Sequence, residues 1–454
     1  MSFKTEGVES RLLGEVKRHI AENDTASLST IIDSLRAADL ADLVEHLDPP
    51  GRMFIVQLME PEDAGEMLVE MEPPVQEKIL KSLDTKAISE IVQELPSDDA
   101  ADLVGDLPPE VLREIIERVT EDVSQDLEKL LPFDEDSAGG LMALEFVAVV
   151  ETATVQDAIE VIRSKRDEVG SLYYVWVVDT FQRLVGVVSL KDLVLSDPKI
   201  QIREIMNPEV IYVDVSADQE KVVRLVRKYD LVNIPVVDER RRLVGRITYD
   251  DILDALEEEV DEDISLMAGV IDQEITEDSM IKISRARLPW LIGGLLGGIL
   301  AAAVINRFEA SLEKLVALAF FFPVIMAMAG NTGTQAATVV VRGLATGDIS
   351  MVHVGRRLLL ELKVALINGV ICGLLLGVIA GTWLGDYRLG AVMTLSMVLI
   401  ILFSGFIGSA VPITLKRLNV DPALGTGPFV TTSNDVLGLF IYLGLVTLYF
   451  RFVG

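Results

Sequence analysis

Cysteine is nearly absent from this chain: Cys372 stands alone, inside an apolar run. No intrachain disulfide can form, so the fold is not a stapled secreted scaffold. Histidine is almost as scarce. Of the three, His19 and His46 have no second nitrogen or sulfur ligand at metal spacing, and His353 falls in a loop between apolar runs. His19 and His46 read as surface or packing residues. No nucleophile–base spacing is visible either, so the chain reads as a non-enzyme. The opening stretch, MSFKTEGVESRLLGEVKRH, lacks the apolar core of a signal peptide.

Positive charge is missing from one side only. The 454 residues carry a net charge of −31, yet half are hydrophobic. Residues 288–454 hold seven acids and ten bases, a net of +3, which leaves 64 acids and 30 bases, a net of −34, in residues 1–287. An acidic soluble half therefore precedes a membrane half. Acidity of this density repels nucleic-acid phosphates and anionic headgroups, which excludes a DNA or RNA binder. The acidic half is expected in the cytoplasm.

A membrane-crossing helix needs about 20 mostly apolar residues. Five stretches qualify: Leu288–Asn306, Leu315–Val341, Val364–Gly385, Leu389–Leu415 and Pro422–Phe450. With residues 1–287 inside, nine basic residues flank the inner ends and four the outer ends, which puts the C-terminus outside. Glycines at four-residue spacing, Gly293/Gly297 and Gly373/Gly377/Gly381, indicate close helix packing rather than a pore. The last stretch carries one acid near its middle, Asp435, which is costly unless it meets water, a cation or a partner. Gly425 to Asn434 ahead of it, with Pro428, Thr431, Thr432 and Ser433, reads as a weakened, oxygen-rich segment. Pro323 and Gly330-Asn331-Thr332-Gly333-Thr334-Gln335 in the second stretch read as a matching interruption. Two broken oxygen-rich segments and one acid suit a hard cation. A proton relay, or a neutral carboxyl bonded to another helix, is the alternative.

The acidic half contains two repeats. Pro49, Pro61, Pro73, Pro96, Pro108 and Pro132 stand about 12 residues apart, with Thr85 and Thr120 on the missing rungs. Helices of about eight residues between such stops must stack, so 25–135 is expected to be a small α-superhelix. Residues 136–256 alternate β and α and repeat at an offset of 59: Val178-Asp179 to Leu193 matches Val237-Asp238 to Ile252. Each copy ends a strand in Ser or Thr and opens a helix with Asp, an N-cap pattern. This duplication resembles a tandem CBS pair, a module whose common role is ligand-sensitive regulation. The helix from Asp250 is expected to run past the domain edge. Asp251, Asp254, Glu258, Asp261 and Glu262 would share one face, and Ile252, Leu253, Leu256, Val260 and Ile264 the other. Met267-Ala268-Gly269 reads as a hinge before a second helix at Asp272–Ala286.

Three blocks in this order resemble the MgtE family of magnesium channels. The residues that carry the likeness in the membrane half are Pro323 with Gly330-Asn331-Thr332-Gly333 and Gln335, Asp421-Pro422-Ala423-Leu424, and Thr431-Thr432-Ser433-Asn434-Asp435 with Gly438. The resemblance implies a multidomain membrane protein divided as follows. Residues 1–24 form an N-terminal segment, 25–135 the helical repeat, 136–256 the CBS pair, 251–286 an acidic connecting helix and linker, and 287–454 a five-span bundle. It implies a homodimer in the cell membrane with a central Mg2+ pore at Asp435, Asn331, Thr431, Thr432 and Asn434. It also implies cytosolic Mg2+ binding that closes the channel. Its ligands would be Asp98 and Asp102 in the repeat, Asp218, Glu220 and Asp230 in the second CBS copy, and Asp251, Asp254, Glu259, Glu262 and Asp263 on the connecting helix. An ion-coupled divalent cation carrier is the alternative, and CBS pairs often take nucleotides, which leaves ATP as a further ligand.

Overall fold

The computed structural model describes residues 6–166, 170–270, 279–346, 349, 354–418, 420–425 and 427–452. The chain divides into two compact units, Met1–Leu256 and Glu257–Gly454.

In the first unit, α1 (Glu6–Glu22) leads into a run of short helices: α2 (Thr25–Ile32), α3 (Ala37–Glu45), α4 (Pro49–Val56), α5 (Pro61–Val69), α6 (Pro73–Leu80), α7 (Thr85–Val92), α8 (Ser97–Gly105), α9 (Pro109–Arg118) and α10 (Glu121–Leu130). Proline explains the period. It occupies the first turn of α4, α5, α6 and α9, where its missing N–H costs nothing, and it cannot extend the preceding helix. Two of the helices that Pro does not open, α2 and α7, are capped by Asp: Asp24 accepts from Ser27 N–H at 3.2 Å and Asp84 from Ala87 N–H at 2.7 Å. Each helix buries one stripe, such as Leu40, Leu43 and Val44 of α3 or Ile88, Ile91 and Val92 of α7. Stacking joins the stripes into one core, which continues into the second CBS copy through Met142, Val213, Ile234 and Ile252.

The CBS pair consists of β1 (Ala148–Val150), α11 (Val155–Ser164), β2 (Tyr174–Val178), β3 (Leu184–Ser189), α12 (Leu190–Leu195), α13 (Ile202–Ile205), β4 (Val213–Asp214), α14 (Gln219–Tyr229), β5 (Ile234–Val237) and β6 (Leu243–Ile247). Each copy is a three-stranded sheet, in the orders β1-β2-β3 and β4-β5-β6, with a parallel then an antiparallel pairing. The two hairpins pair with each other: Leu184 N–H donates to Arg241 O at 3.0 Å, and Leu243 N–H to Gln182 O at 3.1 Å. Ser189 caps α12 as expected, its hydroxyl accepting Asp192 N–H at 3.1 Å.

Helix α15 (Tyr249–Ala268) does run past the CBS edge, and it ends where Gly269 adopts φ +74, a left-handed C-terminal cap. Its apolar stripe is narrower than the sequence suggests. Ile252 and Ala255 are buried, but Leu253, Val260 and Ile264 are exposed. Within the first unit the buried side of the helix runs through Ile252 and Ala255, and Leu253 lies off it. The expected second helix falls partly on 271–278, outside the described residues.

Five helices are long and apolar enough to cross a membrane among the described residues. These are α16 (Met280–Arg307), α18 (Phe322–Ala345) with the 3-10 stretch Val316–Phe321 before it, α19 (Val354–Leu384), α20 (Tyr387–Arg417) and α21 (Pro428–Phe452); α17 (Glu309–Lys314) is a short connector. The expected interruptions are not interruptions. Pro323 lies in the first turn of α18, which continues as regular helix through Gly330 to Gln335. Pro428 opens α21, and Thr431 to Asp435 follow in helical conformation. Proline starts these helices rather than breaking them, for the reason it starts the short ones. Asp435 is consequently the eighth residue of its helix, about 10 Å from the first, and not near the middle.

Candidate functional site

Helix α8 opens with Ser97-Asp98-Asp99, which places two carboxylates at a helix N-terminus, where the peptide dipoles favour negative charge. Asp98 is nonetheless only 6% exposed, rare for an aspartate. Ser97 N–H donates to Glu145 Oε1 at 3.1 Å and Ser97 Oγ to Glu145 Oε2 at 2.8 Å. Across the site, the Thr248 N–H donates to Asp251 Oδ2 at 3.1 Å, and the Thr248 hydroxyl bonds both Asp250 and Asp251. The Arg246 guanidinium is buried among these acids, with Nη1 donating to Ser171 O at 2.9 Å.

The acids crowd one another. Burial first, then the charges of Asp251 and Asp99, hold the Asp98 carboxyl well above the usual range. Asp99 is pushed up to about 7 by burial, with Asp251 and Asp250 adding to it. Asp251 rises to about 6 through burial, although its bonds from Thr248 oppose the rise. Glu70, at the end of α5, is raised by burial and then by Asp254 and Asp250. These groups, Glu70 and Asp254 aside, border a cavity of about 1500 Å³ that Lys165, Tyr173, Asn233 and Asp238 also line.

The expected ligands are thus brought together in part. Asp98 and Asp251 meet, and Asp254 stands near Glu70. Asp102 lies one turn beyond Asp98 on α8. Asp218 caps the start of α14, accepting Glu220 N–H at 2.9 Å, whereas Asp230 ends the same helix at φ +51. The eleven residues between them span about 16 Å, so Asp218 and Asp230 of one chain do not share an ion. Asp218 is instead close enough to Asp136 to raise its carboxyl, after burial and Asp134. Glu259, Glu262 and Asp263 belong to the part of α15 in the second unit. Among the described residues, no three His, Cys, Asp or Glu side chains converge closely enough to hold a metal ion. The donor set of the first unit is all carboxylate oxygen, which suits a hard divalent cation such as Mg2+. Sequence reasoning missed Asp99, Glu70 and Glu145. Asp99 was legible as the neighbour of Asp98, but nothing in the spacing pointed to Glu70 or Glu145.

In the second unit, Gly297 of α16 touches Thr432, where any Cβ would collide with its methyl group, and Gly330 of α18 leaves contact room for Thr431. Gly297, with Gly373 and Gly377 of α19 against Thr394 of α20, therefore serves close packing as the spacing implied, whereas Gly293 has no neighbour within contact distance among the described residues. Asn434 is 1% exposed and sits between helices, its Nδ2 donating to Ala329 O of α18 at 3.3 Å. It is not on an open face. Asn331 is, and so are Thr334, Gln335, Thr338 and Arg342 at helical spacing on α18. The outward face of α16 contrasts with this stripe, since it carries Leu291, Leu295, Leu296 and Ile299. Also within this unit, the Met267 carbonyl at the end of α15 lies against Gly427, immediately before α21, so closely that a side chain there would collide.

Residues 322–445 match the divalent cation transporter family MgtE, residues 35–136 the MgtE intracellular N domain, and residues 138–197 and 202–258 the CBS domain. The magnesium transporter MgtE of Thermus thermophilus is 42% identical over 325 residues, 71% of this chain and 72% of its own length. That of Bacillus subtilis is 38% identical over 322 residues, 71% of each chain. Among solved structures, the cytosolic domain of the Mg2+ channel MgtE in complex with ATP is similar at 36% identity and a TM-score of 0.51, covering 53% of this chain and 99% of that one.

Proposed function

The chain belongs to the MgtE family of magnesium transporters, and we propose that it is a Mg2+ channel for uptake across the cell membrane, closed by cytosolic Mg2+. The observation that carries the pore is the polar stripe Asn331, Thr334, Gln335 and Thr338, which faces outward from a membrane-crossing helix. Lipid cannot satisfy these groups, so they need water or protein against them. A second copy related by a two-fold axis would enclose the stripe and set two Asp435 carboxylates around one path. Mg2+ sheds its waters reluctantly, so Asp435, Asn331, Thr431 and Thr432 would select the hydrated ion through hydrogen bonds to its water shell. The N-terminal half would lie in the cytoplasm and the C-terminus outside.

The gate rests on the crowding of Asp98, Asp99 and Asp251. Two unit charges ~4 Å apart repel by about 4 kcal/mol at an effective dielectric near 20. The carboxylates therefore push α8 away from α15 whenever both are ionised. Regulatory Mg2+, when bound by Asp98, Asp102, Asp251 and Asp254, supplies the charge that lets them stay together. A ligand taken only by the compact state favours it by about 2.7 kcal/mol per independent site at a hundredfold excess. A few weak sites then suffice to shift a two-state gate. Asp218, Glu220, Asp230, Glu259, Glu262 and Asp263 are assigned to further sites completed by the partner subunit or by domain closure. The contact of Met267 with Gly427 is a direct route from α15 to the start of α21.

A second ligand is favoured by the cavity. Thr248, Asp250, Tyr173 and Lys165 on its wall could hold the ribose, base and phosphates of ATP. The solved relative bound to ATP supports this reading. Uptake of Mg2+ into vesicles by Asp435→Ala, beside the double variant Asp251→Ala/Asp254→Ala, tests the whole. The first should not transport, and in the second the rate, whatever its level, should not respond to internal Mg2+. Normal conduction by Asp435→Ala, or transport that follows a proton gradient at fixed voltage, would refute the channel.

A further inference from the structure

Three helices of the bundle meet at Gly333. From α21, the Asn434 amide nitrogen lies where a side chain at 333 would begin, and any Cβ there would collide with it. From α20, Gly408 rests on the Gly333 carbonyl so closely that it too tolerates no side chain. Asn434 then donates from Nδ2 to Ala329 O at 3.3 Å, the carbonyl that α-helical geometry already pairs with Gly333 N–H. The contact is therefore specific to one rotation and one height of α21 against α18. Turning α21 by a single residue, about 100°, would remove the amide from the notch.

The remaining atom of that side chain argues against a purely packing role. Asn434 Oδ1 is buried and has no hydrogen-bond partner among the described residues. A buried acceptor left unpaired is destabilising, and an apolar residue of the same size would fill the space without that cost. An asparagine here pays in stability for one directional bond, and the residue beside it is Asp435. Recognition through a water shell requires the carboxylate to be held to within about 0.5 Å.

We propose that Asn434, seated in the Gly333 notch, is a positioning residue that sets the rotation and depth of Asp435 and so determines the cation selectivity of the pore. It does not touch the ion. The inference rests on the assignment of Asp435 to the pore.

The test uses the full-length protein in vesicles, with Mg2+ and Ca2+ as alternative cations. Asn434→Leu keeps the branched outline with bulkier methyl groups and removes both the bond and the orphaned oxygen, so relief of the orphan offsets the tighter fit and the protein should still assemble. The Mg2+-over-Ca2+ flux ratio should nevertheless fall by about tenfold, the effect of losing one orienting hydrogen bond. Asn434→Ser, which shortens the side chain, should lower the ratio as well. Asp435→Asn serves as the reference for the pore assignment. If Asp435→Asn stops transport while both Asn434 variants keep the parental ratio, the positioning role is wrong and the pore stands. If Asp435→Asn conducts normally, the pore reading itself fails, and the inference with it. Failure of both Asn434 variants to assemble would show that the contact only holds the bundle up, which also overturns the proposal.

Discussion

Ser97 gives its hydroxyl hydrogen to Glu145 at 2.8 Å and receives the Leu144 N–H on the same oxygen at 2.8 Å. One small side chain thereby ties α8 to the segment that enters β1. The residues it fixes in place are its own neighbours, Asp98 and Asp99.

Ser97→Ala breaks both bonds and leaves the Leu144 N–H and a Glu145 oxygen without this partner. A loss of about 1–3 kcal/mol is expected for the contact between the helical repeat and the CBS pair. Denaturant unfolding of residues 1–270 measures it. An unchanged midpoint would mean that the pairing contributes nothing net.

Neutralising the acids separates repulsion from ligation. Asp98→Asn/Asp251→Asn should make the first unit compact without Mg2+, because the opposing charges are gone. Protease protection should then be the same in chelator and in millimolar Mg2+, whereas the parent chain gains protection with Mg2+. A double variant that still needs Mg2+ for protection would move the sensor elsewhere.

The pH dependence follows from the raised carboxyls. Asp98 lies well above the usual range, Asp251 near 6 and Asp99 near 7. An acid whose folded pKa is raised binds its proton more tightly in the folded state. Its stabilising contribution is complete below the unfolded value, near 4, and disappears as pH rises through 6 to 7. Without Mg2+, the compact form should therefore weaken between pH 5 and pH 8. The extra melting temperature conferred by Mg2+ should be largest at pH 8 and small at pH 5. Thermal melts at both values, with and without Mg2+, would reveal the opposite trend if the acids were not the sensor.

Gly297 offers a test in the bundle. Gly297→Val places a branched side chain against Thr432 and should spread α16 from α21. Overpacking of this kind costs about 1–3 kcal/mol. Detergent-solubilised protein should melt earlier, and Thr432→Ala should restore part of the loss. Equal melting of Gly297→Val and the parent would show that α16 moves freely there.

The charge split, the twelve-residue proline period, the CBS duplication and the five apolar runs were all legible, because each is a property of residues near one another in sequence. The meaning of Pro323 and Pro428 was not. A proline looks the same whether it breaks a helix or starts one, and only the chain before it decides. Asn434 shows the same limit. Its position beside Asp435 suggested a pore oxygen, but packing against Gly333 turned it inward.

What the amino-acid sequence by itself determined was therefore local: where helices start, which stretches can enter a membrane, which half is acidic and how the repeats run. Tertiary structure alone decided which carboxylates crowd together. Asp98, Asp251 and Glu70 come from distant segments, and repulsion acts through space regardless of the chain between them. It also decided that Asn434 turns inward, since that depends on which backbone surfaces lack a side chain at the place where the helices touch.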